Sequence, residues 1–422
     1  MKVLLVSVGT RGDMEPFLAI GNLLMARGHT VAAAFPAQFE SLASSAQIPF
    51  HSLGPEFLQL LESEDGKLVM GGKNGLKKLL ATLRLAKRGN VAQDRLVQNQ
   101  IAAVNAFKPD LIVHHSKAVF PLIWEVSNPD QTVMISPVPY LHYVPGHSHL
   151  AFRKNFGAFF NQLTYKIADW GLLQFTNRAL KKLKIEGIGR KDLRKVLREH
   201  KVIYTISPQL FEGSDSWSEK IKILGYHERD KTSNWSPSED LQGFIEAHKK
   251  ILFVTFGSMG NLDPVGNTKI LLDLVTQHQI PTIFNTAGGG LTIPEDYDTS
   301  LIHFVPGIPY DWIFPKIYAV IHHGGSGTTH TALKYGCASM IIPHIIDQFI
   351  WNEIVADKKC GPLGIPVARL SKSAIELKLL ALWQDSAYRA NAEKTGKAMQ
   401  MEHLEEQLIE ELLHQKARAA DA

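Results

Sequence analysis

The segment from residue 321 to residue 348, IHHGGSGTTHTALKYGCASMIIPHIIDQ, constrains the fold more than any other part of the chain. The apolar run that ends at His322 predicts a buried strand, and the glycines after it predict a tight turn that a ligand can approach closely. A helix is predicted to begin near Thr328, and a second buried strand is predicted at 339–343. Strands joined in this way are parallel, so their carboxyl ends meet at the edge where open α/β sheets bind ligands. Free backbone N–H groups at the start of the helix favour a diphosphate there.

The N-terminus shows the same kind of pattern independently. Residues 2–8, KVLLVSV, predict a buried strand, the loop GTRGDMEP follows, and residues 17–27 predict a helix. Asp13 is therefore expected in a strand-to-helix loop at the carboxyl end of the first strand. A carboxylate in that position either acts on a ligand or caps the helix that follows.

Alternating strand and helix patterns predict an α/β fold with parallel sheets in two halves of similar build. The predicted strands lie near residues 2–8, 30–35, 111–115, 132–136 and 202–206 in the first half, and near 251–256, 281–285, 301–304, 318–322 and 339–342 in the second. Long helical insertions are predicted near 57–64, 76–106 and 152–182. The polar, turn-rich segment 230–243 predicts a linker, and residues 372–416 predict one helical stretch.

Composition narrows the class of protein. A chain of 422 residues with 45% hydrophobic and 20% charged residues is typical of a soluble protein of two or three domains. The two cysteines, Cys337 and Cys360, argue against a disulfide framework, and no Cys/His spacing indicates a metal site. No apolar run approaches the roughly 18 residues of a spanning helix, and the N-terminus lacks the pattern of a signal peptide. A cytoplasmic location is therefore expected, with at most peripheral contact with a membrane.

Basic charge is concentrated in the first half, where residues 1–200 carry 25 Lys and Arg against 15 Asp and Glu. No nucleic-acid-binding motif accompanies this charge, so no nucleic-acid partner is expected. Residues 158–175, AFFNQLTYKIADWGLLQF, have the aromatic-rich, amphipathic character of a helix that lies on an anionic membrane. The alternative is a helix packed on its own domain with basic, solvated ends.

Two motifs resemble signatures of the family 1 glycosyltransferases of the GT-B fold, in particular of their sterol and antibiotic glucosyltransferase branch. They are HHGGSGTT followed by PHIIDQ, and GTRGDMEPFLAIGNLLMARGHTV near the start. The resemblance implies two Rossmann-like domains with parallel sheets that face each other across a cleft, and a last helix that crosses back onto the first domain. The implied boundaries are 1–228 for the acceptor-binding domain, 229–245 for a linker, 246–400 for the nucleotide-sugar-binding domain and 401–422 for the C-terminal helix.

The resemblance also implies roles for individual residues. Asp13 matches the general base, and His322 matches the histidine that contacts the donor diphosphate. The donor-binding residues implied in this way are Thr10, Ser258, Phe304, Val305, His322, His323, Gly324, Gly325, Ser326, Gly327, Thr328, Asp347 and Gln348. The candidates for acceptor binding are Arg11, His114 and His142, with His115 at the same strand exit as His114. The chain departs from plant relatives at His330, where they have a ribose-binding Glu.

The residue types alone leave structural alternatives open. Asp13, Ser258 and the Asp347-Gln348 pair are each suited to capping a helix. His322 is also suited to the role of a hydrogen-bonded histidine at the end of a buried strand.

The activity implied by the resemblance is inverting, metal-independent transfer of a hexose from a UDP-sugar, with UDP-glucose as the expected donor. The acceptor would be a hydroxyl of a small apolar molecule such as a sterol, another terpenoid, a different natural product or a lipid. No resident cofactor is expected. The alternatives are a dTDP-sugar-dependent antibiotic-type glycosyltransferase, a nucleotide-sugar 2-epimerase, and a non-catalytic protein that binds nucleotides or lipids.

Overall fold

A computed structural model describes residues 1–71, 76–152, 154–231, 235–257 and 263–413. The chain divides into two compact units, each with one parallel sheet. Unit 1 consists of Met1–Ser63, Leu83–Arg229 and the C-terminal segment from His403, and unit 2 consists of Glu64–Thr82 and Asp230–Glu402.

The sheet of unit 1 has seven strands in the order β3-β2-β1-β4-β5-β6-β7. Its strands are β1 Lys2–Val6, β2 Thr30–Phe35, β3 Phe50–Ser52, β4 Leu111–His115, β5 Thr132–Ser136, β6 Val202–Tyr204 and β7 Ile221–Ile223. The five longer predictions are confirmed because each run is apolar and buried on both faces, as a central parallel strand requires. The sequence did not predict β3 and β7, which are three-residue edge strands with half-buried side chains.

The sheet of unit 2 has five strands in the order β10-β9-β8-β11-β12. These are β8 Leu252–Thr255, β9 Thr282–Asn285, β10 Ile302–Val305, β11 Ala319–His322 and β12 Ala338–Ile341, and all five were predicted. The strand β11 lies between the central strand β8 and the edge strand β12, so the segment after His322 emerges at the carboxyl edge with a strand on either side. The prediction of an α/β fold with two parallel sheets is therefore confirmed.

The helices cover the faces of the sheets and form the long insertions. They are α1 Arg11–Ala26, α2 Glu40–Ser45, α3 Glu56–Glu62, α4 Glu64–Gly71, α5 Leu76–Phe107, α6 Phe120–Ser127, α7 Ala158–Leu183, α8 Arg190–Glu199, α9 Glu239–Ala247, α10 Pro264–Gln277, α11 Tyr310–Ile313, α12 Ser326–Lys334, α13 Ile346–Asp357, α14 Lys372–Gln384, α15 Ser386–Gln400 and α16 Glu405–Leu413. None of the helices in the described part of the chain combines the length and apolar character needed to span a bilayer.

Helix α1 begins earlier than the sequence pattern suggested. Its first residue is Arg11 rather than Phe17, so the prediction that Asp13 lies in a loop is wrong. Thr10 is the N-cap residue, and the Asp13 carboxylate accepts a hydrogen bond from the backbone N–H of Thr10. Pro16 is tolerated inside the helix because the carbonyl that its missing N–H would have bonded belongs to the exposed Gly12.

Two further boundaries differ from the sequence predictions. Helix α9 begins at Glu239, inside the predicted linker, because Ser238 caps it and Leu241 and Phe244 are buried in the core of unit 2. The predicted single helix over 372–416 is interrupted at Asp385, whose side chain accepts a hydrogen bond from the N–H of Ala387 and starts α15. A second break separates α15 from α16.

Helix α16 packs onto the core of unit 1, as predicted for the last helix. Leu408, Ile409 and Leu412 are buried against the cluster that contains α1 and the central strands. The carboxylate of Glu411, which also lies on α16, is 2.6 Å from the ammonium group of Lys201 in unit 1. The C-terminal segment therefore belongs to the first unit, although 402 residues precede it.

Candidate functional site

Asp13 lies at the carboxyl edge of the first sheet, in the first turn of α1. Gly9 makes the turn between β1 and this helix with a φ of +147°, a conformation that favours glycine. The Asp13 Oδ2 atom accepts hydrogen bonds from the Thr10 N–H at 2.6 Å and from the Thr10 hydroxyl at 3.1 Å. The predicted capping alternative is therefore present in the structure, and it occupies one oxygen of the carboxylate.

The other oxygen of Asp13 faces two residues that follow β4. The Lys117 Nζ donates to Asp13 Oδ1 at 3.0 Å, and the His115 Nε2 lies 3.3 Å from the same atom. The Lys117 backbone N–H lies 3.3 Å from His115 Nδ1, so Nδ1 is the acceptor and Nε2 carries the proton. Strand β4 pairs directly with β1, which brings residues from two distant parts of the sequence to one point.

These neighbours set the charge of Asp13. Burial raises the pKa of the Asp13 carboxyl, but the charges of Lys117 and His115 and the hydrogen bonds outweigh this effect and hold the pKa below its usual 3.8. Burial also lowers the pKa of His115 to about 3, so its ring is neutral near pH 7 and Lys117 is then the charge beside Asp13. Asp13 is therefore an ionised, oriented carboxylate at neutral pH.

Lys117 is a site residue that the sequence analysis missed. Lys117 lies two residues after the end of β4, and β4 pairs with β1. Its position just after a strand at the same carboxyl edge was the sequence feature that could have identified it. Its ammonium is half exposed, whereas the Asp13 side chain is largely buried.

His114 points away from Asp13, because alternate residues of a strand lie on opposite faces of the sheet. It is fully buried, and its Nδ1 lies 3.1 Å from the His115 carbonyl oxygen. Its Nε2 lies 3.4 Å from Nε2 of His200. Both ring nitrogens thus contact protein atoms, and the structure places His114 in the interior of unit 1 instead of at an acceptor site.

The two other predicted acceptor residues also have protein partners. The His142 Nδ1 lies 2.7 Å from the Tyr204 hydroxyl, and burial lowers the pKa of His142 to about 4. Arg11 is exposed, and its Nε donates to a Glu15 carboxylate oxygen at 3.1 Å on the next turn of α1. A role in acceptor binding remains a prediction for both residues.

His322 ends β11, an interior strand of the sheet of unit 2, and is fully buried. Its Nδ1 accepts a hydrogen bond from the Gly324 N–H at 3.1 Å, and burial lowers its pKa to about 3. The neutral ring therefore carries its proton on Nε2. That Nε2 is buried and has no hydrogen-bond partner among the described residues. A buried donor of this kind is costly unless a ligand or water accepts its hydrogen bond.

The glycine turn leads directly into α12. Gly324 has a φ of +90°, and a Cβ at this position would lie 2.6 Å from Ile341 Cγ2 and 3.2 Å from the Gln348 carbonyl oxygen. Gly325 is the N-cap residue, and the first turn of the helix contains Ser326, Gly327 and Thr328. The N–H groups of that turn have no intrahelical acceptor, which makes the end of the helix partially positive.

His323 fills the space between two glycines. A Cβ at Gly325 would lie 2.5 Å from His323 Nε2, and a Cβ at Gly257 would lie 2.7 Å from His323 Cε1. Burial and the neighbouring histidines hold the pKa of His323 well below its usual value. The neutral ring therefore braces the glycine turn against the end of β8.

Asp347 and Gln348 lie in the first turn of α13, which begins at Ile346. The Gln348 Oε1 accepts hydrogen bonds from the backbone N–H groups of His344 at 2.7 Å and Ile345 at 3.1 Å. Gln348 therefore caps the helix with its oxygen. Because a Cβ at Gly324 would lie 3.2 Å from the Gln348 carbonyl oxygen, the glycine turn and the start of α13 are adjacent.

His344 is a second residue that the sequence analysis missed. It follows β12, is buried, and its Nδ1 donates to the Ile342 carbonyl at 2.9 Å. Its Nε2 has no partner among the described residues, and burial lowers its pKa to about 4. Its position just after a predicted strand and close to Asp347 was the sequence feature that could have identified it.

The remaining predicted residues of unit 2 have mixed placements. Phe304 is half buried and stacks on Phe284 with ring centroids 5.1 Å apart. The Val305 carbonyl accepts a hydrogen bond from the Thr286 N–H at 2.9 Å. Ser258 lies outside the described residues.

His330, the position of the ribose-binding Glu in plant relatives, is fully buried in α12. Its Nδ1 donates to the Ser326 carbonyl at 2.7 Å, and its ring packs edge-on against Trp351. Its side chain therefore contributes to the core of unit 2.

Comparison with known families matches both units. Residues 3–114 match the glycosyltransferase family 28 N-terminal domain, and residues 292–413 match the erythromycin biosynthesis protein CIII-like C-terminal domain. The first match includes Asp13 and β4 up to His114, and the second includes the glycine turn and α13.

Among curated proteins, the chain is similar to sterol 3-beta-glucosyltransferases. It is 27% identical to Sterol 3-beta-glucosyltransferase UGT80A2 of Arabidopsis thaliana over 95% of this chain and 63% of that protein. It is 24% identical to the Sterol 3-beta-glucosyltransferase of Eremothecium gossypii over 94% of this chain and 33% of that protein. The chain thus spans less than two thirds of the plant relative and about a third of the fungal one.

Solved structures of antibiotic glycosyltransferases share the fold. The glycotransferase of kitacinnamycin superposes with a TM-score of 0.69 at 14% identity, over 97% of this chain and 99% of that one. The calicheamicin glycosyltransferase CalG4 gives 0.67 at 15% identity, over 99% of both chains. Together with the two parallel sheets and the two motifs at their carboxyl edges, these matches show the GT-B fold and support a family 1 glycosyltransferase.

Proposed function

We propose that the protein transfers a hexose from a UDP-sugar, with glucose as the first candidate, to the hydroxyl of a sterol-like apolar acceptor, with inversion at the anomeric carbon. The observation that carries the proposal is the buried Nε2 donor of His322 beside the glycine turn and the start of α12. A neutral N–H donor and a helix N-terminus together suit a diphosphate. The sterol class is proposed from the sterol 3-beta-glucosyltransferases, which match 85–95% of this chain.

Asp13 is the proposed general base. Its carboxylate is ionised near pH 7 and is held by Thr10 and Lys117, so it can accept the proton of an acceptor hydroxyl as that oxygen attacks. Its lowered pKa makes it a weak base, so its contribution would be to orient the hydroxyl and to take the proton late in the reaction.

The groups of unit 2 would stabilise the leaving UDP. Negative charge grows on the diphosphate as the sugar–phosphate bond breaks, and the His322 N–H and the free N–H groups of α12 would stabilise that charge. Attack from the opposite side of the anomeric carbon converts an α-linked donor to a β-glycoside.

Asp347 and Gln348 are the proposed ligands of the sugar hydroxyls. The Gln348 oxygen already caps α13, so its amide NH₂ would be the group that reaches the sugar. No resident cofactor is part of this proposal.

The test is a transfer assay with the full chain, UDP-glucose and a 3β-hydroxysterol in mixed micelles, followed by detection of the sterol glucoside and of UDP. Sterol-dependent UDP release that persists in EDTA would support the proposal. UDP binding without transfer to any hydroxylated apolar acceptor would favour the non-catalytic alternative. Absence of UDP binding would contradict the donor site itself.

A dTDP-sugar is the second candidate donor, because the related solved structure of VinC is a complex with dTDP. The same assay with dTDP-glucose distinguishes the two nucleotides. Turnover with dTDP-glucose at least tenfold faster than with UDP-glucose would replace the donor assignment and leave the site unchanged.

A further inference from the structure

Helix α7 exposes a row of large apolar side chains. Phe159, Phe160, Leu163, Ile167 and Trp170 are between 40% and 74% exposed, and we call these five residues the α7 apolar face. Phe159 and Phe160 are adjacent, and the next three residues follow Phe160 at steps of three, four and three positions, so all five share one side of the helix over about 17 Å of its length. Phe156, just before the helix, is also exposed.

The buried residues of the same stretch are Asn161, Thr164 and Tyr165. Asn161 and Thr164 are buried, and both are hydrogen-bonded within unit 1. Asn161 Oδ1 accepts from the Phe156 N–H at 2.8 Å, and Thr164 Oγ1 accepts from the His149 N–H at 2.8 Å. Apart from the buried Tyr165 ring, the large apolar side chains of this part of α7 therefore face outward, whereas a helix usually turns them toward the core. The inward hydrogen bonds fix the rotation of the helix and hold the apolar face outward.

The size of this face exceeds ordinary surface exposure. Five side chains exposed to this degree present roughly 500 Å² of contiguous apolar surface, near the upper end of the patches found on monomeric proteins. A standard protein–protein interface needs about 800 Å² from each partner. The patch alone is thus small for a stable protein interface but sufficient for shallow insertion into a lipid surface.

The charge around this face identifies the kind of lipid. Between residues 153 and 170 the chain contains three basic residues, Arg153, Lys154 and Lys166, and one acidic residue, Asp169. Lys154 and Lys166 are exposed, and Lys166 lies one helical turn from Leu163 and from Trp170. Aromatic side chains beside lysines are the composition of helices that lie at anionic membrane interfaces.

We propose that the α7 apolar face docks unit 1 on an anionic lipid bilayer, with Phe159, Leu163 and Trp170 inserted at the level of the headgroups and Lys154 and Lys166 on lipid phosphates. This inference is independent of the proposed function, because it rests on a surface that contains none of the candidate site residues.

The test is flotation of the full chain with 100-nm vesicles of phosphatidylcholine, with and without about 30% phosphatidylglycerol, near physiological ionic strength. The variant Phe159→Ser/Trp170→Ser removes two rings that are 74% and 61% exposed. The matched control, Val265→Ser/Leu377→Ser, removes two equally exposed apolar residues of unit 2. Circular dichroism and UDP binding check that both variants are folded.

The expected result is that the wild type and the control bind the anionic vesicles, and that the α7 variant binds at least tenfold more weakly. Lys154→Glu/Lys166→Glu is expected to weaken binding to anionic vesicles more than binding to neutral ones. Equal binding by the wild type and the α7 variant, or no binding by the wild type, would overturn the proposal. A wild-type dimer that the α7 variant converts to a monomer, without vesicle binding, would overturn it in favour of contact between two copies.

Discussion

Replacing His322 with asparagine separates the two hydrogen-bonding roles of this imidazole. The ring accepts the Gly324 N–H through Nδ1 and has a buried, unpartnered Nε2 within the described part of the chain. An asparagine oxygen reaches about the position of Nδ1, so His322→Asn keeps the bond to the glycine turn and removes the Nε2 donor. His322→Gln is the matched variant, since its amide nitrogen reaches about the position of Nε2.

The expected size of the effect follows from the burial of this donor. A hydrogen bond to a charged group contributes about 1.5–3 kcal/mol, which corresponds to roughly 10–150-fold in a dissociation constant. His322→Asn is therefore expected to weaken UDP binding by that factor. In the free protein, removal of an unsatisfied buried donor gains about 1–3 kcal/mol, and the space left by the ring costs a similar amount. The unfolding midpoint without ligand should thus change little.

Calorimetric titration with UDP and thermal unfolding of the free protein measure the two effects separately. His322→Gln is expected to retain part of the affinity that His322→Asn loses. Wild-type UDP affinity in His322→Asn would refute the assignment of Nε2 to the diphosphate. Weak binding accompanied by a large fall in the unfolding midpoint would instead show that the imidazole acts through the structure of the turn.

Four further predictions concern the base, its lysine, the last helix and acid stability. Asp13→Asn keeps a side-chain acceptor for the Thr10 N–H but removes the proposed base. The rate of sugar transfer should therefore fall at least 100-fold, while the affinity for UDP stays within twofold of the wild type. Unchanged turnover would exclude Asp13 as the base. Lys117→Met removes the positive charge nearest to Asp13 while the Asp13 carboxyl stays buried, so the pKa of Asp13 should rise. The acidic limb of the pH profile of kcat/KM should then move to higher pH. If that limb does not move, a group other than Asp13 titrates there. Leu408→Ala should lower the free energy of unfolding by about 2–5 kcal/mol in urea denaturation, whereas Leu377→Ala, at a residue 79% exposed, should change it by less than about 0.5 kcal/mol; equal effects would contradict the packing of α16. Several buried histidines stay neutral in the folded protein but become protonated in the unfolded chain as the pH falls below about 6.5. Each of them should therefore reduce the free energy of unfolding by up to about 1.4 kcal/mol for each pH unit of acidification, until the pH reaches its pKa in the folded protein. A thermal midpoint that does not change between pH 7.5 and pH 5 would contradict this prediction. These histidines, each with a pKa lowered to about 4, are His114, His142, His330 and His344.

Local sequence patterns were sufficient where one strong physical cause acts. Every central strand was predicted because a strand buried on both faces must be a continuous apolar run. The glycine turn after His322 was predicted because few other residues adopt the positive φ of Gly324, where a Cβ would lie 2.6 Å from Ile341 Cγ2. The edge strands β3 and β7 carry half-buried side chains, so no comparable pattern marks them.

Helix boundaries were less predictable, because they depend on capping by single side chains. The spacing of Thr10 and Asp13 is that of a capping box, and this signal could have placed the start of α1 at Arg11. Gln348 plays the same part for α13, and Ser238 starts a helix inside the segment expected to be a linker. Each of these residues has several suitable roles in the sequence, and only the folded backbone selects one.

The sequence by itself determined the class of fold, the positions of the central strands and the two motifs at their carboxyl edges, because these follow from the periodicity of apolar residues and from glycine. The tertiary structure alone decided which partners those motifs acquire. It brought Lys117 to Asp13 across 104 residues and separated His115 from His114 on opposite faces of one strand. It also turned Asn161, Thr164 and Tyr165 of α7 inward, where the Thr164 hydroxyl accepts a hydrogen bond from the His149 N–H, a neighbour that no local pattern specifies.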